Sequence, residues 1–156
     1  MKQINTIVAL GLSMMSWVYG QELKSPNGNF VMDFSLSKDG KPTYQLKYKG
    51  KDVVKPSTLG FEFKPNNQMS FEWENQGGDK NAYSNFLSGF EIVDTKTSTF
   101  DETWQPVWGE VNNIRNNFNE LAVTVSQPKT DRQMIIRFRL FDDGLGFRYE
   151  FPEQKN

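Results

Sequence analysis

Apolar residues recur at every second position in run after run of this chain, and that spacing admits β-strands and little else, because successive strand side chains point to opposite faces. Phe30, Met32, Phe34 and Leu36 alternate with Val31, Asp33 and Ser35; Tyr44, Leu46 and Tyr48 alternate with Gln45 and Lys47. Between them lies SKDGKP, whose Asp-Gly pair signals a hairpin turn. The rhythm resumes at Leu59, Phe61 and Phe63, at Phe71 and Trp73, and at Phe90 and Ile92. It continues with Leu121, Val123 and Val125, then Met134, Ile136, Phe138 and Leu140, and ends with Phe147, Tyr149 and Phe151.

Many short alternating runs separated by Gly, Pro, Asn and Asp predict an all-β antiparallel sandwich. The one helical spacing is Val111, Ile114 and Phe118, and the asparagines around it limit the expectation to a turn or two. NQGGDKNAYS, with Gly77 and Gly78, is the expected mobile loop. No internal repeat or low-complexity linker interrupts the pattern, so one domain, or part of one, is expected.

Composition removes several functions. A formal charge of −1 lacks the Lys and Arg surplus that phosphate contacts require, so no nucleic-acid partner is expected. The chain contains no His and no Cys, which excludes a Ser-His-Asp triad, a Cys nucleophile, a structural zinc site and a thiol redox motif within it. Any chemistry would fall to carboxylates.

The first twenty residues read as a secretory signal: Lys2 gives the positive start, Ile7 to Val18 the apolar run, and Val18-Tyr19-Gly20 the cleavage pattern. That run is short for a bilayer span, and no cysteine follows it to carry a lipid, so no membrane anchor is expected. The organisation is thus a signal peptide over 1–20 and the sandwich over 21–156, in a protein exported across the inner membrane.

The stretch FDETWQPVWGEVNNIRNNFNE, Phe100 to Glu120, departs from the alternation. Burying an indole removes about 200 Å² from water, worth roughly 5 kcal/mol, so Trp104 and Trp108 call for a cover. They can plug a sandwich end or an interface, or leave one ring face open as a platform for a sugar, with Glu110 and Arg115 as hydrogen-bonding neighbours. Asp101, Glu102, Glu110 and Glu120 also raise a carboxylate pair for glycoside hydrolysis, which needs a separation that spacing in sequence does not give. Asp142 to Phe147, DDGLGF, lacks the lysine and helix of a phosphate loop and the ligand series of a calcium loop; a hairpin turn with positive-φ glycines is expected there. Arg137, Arg139 and Arg148 alternate with apolar positions and belong on the outer face of that hairpin, as a solvated or a docking surface.

FDETWQPVWGE, NNIRNNFNELAVTV and IIRFRLFDDGLGFRYEFPEQ together resemble the N-terminal domain of glycoside hydrolase family 97, and SPNGNFVMDFSLSKDGKPTYQLKYKGKDVVKPSTLGFEF extends the likeness over essentially all of 21–156. The branch it resembles holds the periplasmic α-glucosidases of bacterial starch utilisation. The resemblance implies a galactose-mutarotase-like β-supersandwich, here incomplete, leading a central (β/α)8 barrel and a small C-terminal β domain. It further implies an exo-acting α-glycosidase, inverting on α-glucosides or retaining on α-galactosides, with a periplasmic location and an α-linked oligosaccharide as substrate. Calcium and catalytic glutamates are implied for the barrel mouth of the parent; no catalytic, metal or cofactor residue carries over to a position in this chain. Trp104, Trp108, Glu110 and Arg115 are the candidates for the surface that meets the barrel and borders its sugar pocket. The alternative is a free-standing carbohydrate-binding or structural sandwich. On the first reading, protein outside this chain covers the two indoles.

Overall fold

The computed structural model describes residues 20–62 and 85–153, and these form two four-stranded antiparallel sheets and a two-stranded one. The first sheet is the meander β1 (Gln21–Lys24), β2 (Phe30–Leu36), β3 (Pro42–Tyr48) and β4 (Lys51–Thr58). A short ladder pairs β5 (Phe61–Glu62) with β6 (Asn85–Phe86). The second sheet holds β7 (Glu91–Trp104), β8 (Ile114–Gln127), β9 (Arg132–Phe141) and β10 (Leu145–Glu150), in the order β10-β9-β8-β7. The fold is therefore the all-β antiparallel sandwich that the alternation predicts.

Alternation decides which faces meet. Leu23, Met32, Phe34 and Leu46 from the first sheet pack on Leu121, Val123, Val125, Met134, Ile136, Phe138 and Leu140 from the second, with Leu59, Phe86 and Phe90 closing the cluster. Phe34 and Phe138 are fully buried, their tilted rings 5.6 Å apart, and each contributes on the order of 2 to 3 kcal/mol by leaving water. Polar clamps tie the sheets where the core thins. The Asn27 amide donates to Asp142 Oδ1 at 2.8 Å, Asn119 Nδ2 to the Lys24 carbonyl at 2.8 Å, and the Gly60 amide to the Tyr149 hydroxyl at 3.0 Å.

The Asp-Gly turn joins β2 to β3 as expected. Gly40 takes φ 67°, and its carbonyl accepts the Phe90 amide at 3.1 Å. A Cβ at Gly40 would lie 2.5 Å from the Phe90 backbone, so both conformation and space demand glycine.

Three expectations are corrected. Ile114 and Phe118 are strand residues paired with Trp104 and Phe100, and the segment Val111–Phe118 has no helical turn, because cross-strand partners satisfy the backbone of the asparagines at 116, 117 and 119. DDGLGF does make the β9–β10 connection, with the Phe141 amide donating to the Gly144 carbonyl at 2.8 Å, but neither Gly144 nor Gly146 has positive φ. Leu59 lies outside a strand; the strand here is the polar β4 just before it. The signal segment, Phe63, Phe71, Trp73 and the NQGGDKNAYS loop lie outside the described residues.

Candidate functional site

β7 and β8 are each 14 residues long, and their ends beyond the Phe100–Phe118 pair, Asp101 to Trp104 and Ile114 to Asn117, have no third strand and leave the sheet as a two-stranded arm. The cause is compositional. Leu121, Val123 and Val125 bind the inner half of β8 to the core, whereas Thr97 to Thr103 in β7 give the first sheet nothing apolar to hold, and the arm runs on exposed. Its tip carries Val107, fully exposed, Trp108 at 88% and Val111 at 58%; below them are Trp104 at 46%, Phe100 and Ile114. So much apolar surface in solvent on one protrusion marks a contact region.

Register assigns the candidates to faces. Trp104 pairs with Ile114 and Phe100 with Phe118, which puts these four on the outer face of the second sheet. Thr103 pairs with Arg115, so Arg115 lies on the opposite face, where it grips Asp101 in a bidentate ion pair with Nε to Oδ1 at 2.9 Å and Nη2 to Oδ2 at 2.7 Å. Hydrogen bonding from Arg115 holds the Asp101 carboxyl below its ordinary pKa. Trp108 and Glu110 are exposed in the tip loop, past the Gln105 Nε2 to Asn113 Oδ1 bond at 3.1 Å that bridges the end of the ladder. The structure thus gathers Trp104, Trp108 and Glu110 toward the arm's end, and Arg115 backs the arm instead of sharing the face of Trp104.

The arm has a root on the outer face that sequence reading did not find. Phe100 stacks on Phe118 at 5.2 Å and 19°, Phe118 meets Phe141 at 5.2 Å, and the Arg139 guanidinium lies 4.6 Å over Phe118. Arg139 Nε also donates to Glu120 Oε2 at 2.8 Å, which leads into a charged network. Arg137 joins Glu120 to Glu150, donating from Nη1 to the first and from Nε and Nη2 to the second, at 2.7 and 2.9 Å for the latter pair. Arg148 Nε donates to Glu150 at 2.7 Å. The i, i+2 spacing of Arg137 and Arg139 opposite Glu120 was the available signal, and it needed the β8–β9 register to be legible.

These partners set the charges. Hydrogen bonds from Arg137 bring the Glu150 pKa down to about 2 against a smaller penalty for burial, with Arg148 adding to the effect. Burial opposes ionisation of Glu120, yet Arg139 and Arg137 together hold its pKa below the ordinary value. A general acid needs the reverse, a carboxyl raised toward neutrality, so neither Asp101 nor Glu120 is set up for the acid role in glycoside hydrolysis. Among the described residues no group of three or more Asp and Glu side chains converges.

Residues 23–156 match the family described as glycosyl-hydrolase 97 N-terminal. The chain belongs to that family. Among solved structures it is similar to a glycoside hydrolase family 97 enzyme from Pseudoalteromonas sp. strain K8, in complexes with panose and with acarbose, at 31% identity and a TM-score of 0.71. It also shares its fold with a beta-arabinopyranosidase at 20% identity and a TM-score of 0.68. In each case the match covers 86% of this chain and 18% of the other, so the family 97 chain spans less than a fifth of these enzymes.

Proposed function

We propose that this family 97 domain serves as the leading, non-catalytic part of an exo-acting α-glycosidase that hydrolyses α-glucosidic bonds of starch-derived oligosaccharides. The β7–β8 arm packs on the catalytic barrel and borders its sugar pocket. The observation that carries this reading is the arm itself: Trp104, Val107, Trp108 and Val111 stand in water, at a cost of several kcal/mol that a covering surface would recover. Panose and acarbose, the ligands of the Pseudoalteromonas enzyme, favour an α-linked glucose oligosaccharide over other glycosides. Export to the periplasm follows from the signal reading of residues 1–20, and calcium would belong to the parent's barrel.

In the full-length protein, Trp108→Ala should lower either the melting temperature or the affinity for maltooligosaccharide; no change in either would count against the arm's role. A free-standing binding module is the second reading, which the 88% exposure of Trp108 favours as an open sugar platform. Titrating this chain alone with maltooligosaccharides while following tryptophan fluorescence separates the two. Saturable quenching supports the module, and a flat trace supports the docking arm.

A further inference from the structure

Gly146 lies within β10, where a glycine forfeits backbone entropy and packs no side chain. Neither internal reason for a glycine applies to it. Its φ is outside the left-handed region, and a Cβ built there would meet no atom within 4 Å. Its pairing with Arg139 puts it on the outer face of the second sheet, where the side chains of Arg137, Arg139, Phe141 and Arg148 border a hollow of about 200 Å³, while the neighbouring Phe147 turns its ring to the inner face against Tyr44 and Phe138. That is smaller than the ~300 to 1,000 Å³ of small-molecule sites and suits a single inserted side chain.

The walls specify which kind of side chain. Three guanidinium groups, Arg137, Arg139 and Arg148, stand against two carboxylates, Glu120 and Glu150. Arg139 is 42% exposed and engages Glu120 through Nε alone; among the described residues its two terminal nitrogens make no hydrogen bond. An open guanidinium end beside a glycine floor matches a carboxylate taken in bidentate fashion, with the carboxylate's own backbone passing close over the glycine.

We propose that this hollow is a socket for an Asp or Glu side chain on another part of a longer family 97 polypeptide. The proposal rests on the reading of this chain as one part of such a polypeptide. Its support is charge complementarity, together with the fact that the matched region is only 18% of the Pseudoalteromonas enzyme, so far more protein accompanies this domain there than the domain contains.

Gly146→Val places in the hollow a side chain that suits a strand and whose Cβ meets no atom of this chain within 4 Å. For this chain alone the midpoint of thermal unfolding should hold or rise; a fall of more than about 2 °C would reveal an internal role for the glycine and overturn the socket. In the full-length polypeptide, Gly146→Val and Arg139→Lys, which keeps the charge and loses the fork, should each lower the midpoint by about 2 to 4 °C. Trp108→Ala in the same background keeps the two readings apart. A response to Trp108→Ala with none to Gly146→Val overturns the socket and leaves the arm's role standing, whereas no response to any of the three sinks both. Sedimentation of this chain at high concentration covers the remaining occupant: a dimer that Gly146→Val abolishes would assign the hollow to a second copy and overturn the proposal as stated.

Discussion

The strands β7 and β8 belong to two environments at once. At their inner halves Leu121, Val123 and Val125 are completely buried against the first sheet, and a change of one methylene would be felt. At their outer halves the same ladder continues without a bulge past Ile92/Asp94, but Trp104 at its end and Trp108 in the loop beyond it are exposed to water. Backbone hydrogen bonds are the same in kind along the whole ladder; only side-chain cover differs. The body of the sandwich is stabilised by what it buries, and the arm is presented by what it leaves unburied.

The largest test of this contrast is Phe138→Ala. Phe138 is fully buried and touches Phe34, Tyr44 and Phe147, and its truncation should cost about 4 kcal/mol, read from denaturant unfolding of this chain. A cost below about 1 kcal/mol would mean that the body is as loosely covered as the arm. Gly40→Ala should come next. It combines a left-handed backbone with a collision at Phe90, and a loss of about 2 to 3 kcal/mol is expected in the same assay.

Body and arm also differed in how far the sequence disclosed them. β2, β3, β8 and β9 bury one face each, so alternation marked them, down to the individual core residues. β7 could not be marked that way. Ile92 is its one apolar side chain packed against the core, and the positions that follow on the same face, Thr95, Thr97, Thr99, Asp101 and Thr103, are polar, because the first sheet covers so little of it and period two in hydrophobicity arises only under a cover. β4 escaped for a related reason: it is an edge strand with Lys51, Lys55 and Pro56 and two register shifts against β3, and only Val54 packs against the core. Trp104 and Trp108 were visible as candidates because aromatics in a polar stretch are conspicuous in any register. That Arg115 backs the arm on the opposite face depends on the length of the connection between Trp104 and Ile114, which no local pattern encodes. The root formed by Phe100, Phe118, Phe141 and Arg139 joins three strands and likewise appears only once they are aligned.

Acid should act on the outer face between these two extremes. Glu150 has its pKa lowered from the ordinary 4.5 to about 2 in the folded chain, and Glu120 is shifted in the same direction. A carboxyl with a depressed folded pKa stabilises the fold fully above its unfolded value and loses that contribution as pH falls through the folded one. Stability should therefore drop between about pH 4.5 and pH 2, by about 1 to 2 kcal/mol once the partial exposure of the network is allowed for. Thermal unfolding across that range checks it, and Glu150→Gln should flatten the decline. An equal decline in the Glu150→Gln protein would detach the acid response from this network.

The smallest effect should come from the arm's most exposed ring. In this chain alone Trp108→Ala removes a side chain with 88% of its surface already in water, so unfolding free energy should change by no more than about 0.5 kcal/mol. Against the loss expected for Phe138→Ala, this near-silence is informative, since both substitutions delete a large aromatic and only cover distinguishes them. A loss above about 1 kcal/mol would mean that the ring folds back onto the chain's own surface in solution. The arm would then be part of the body, and the difference between the two halves of the ladder would disappear.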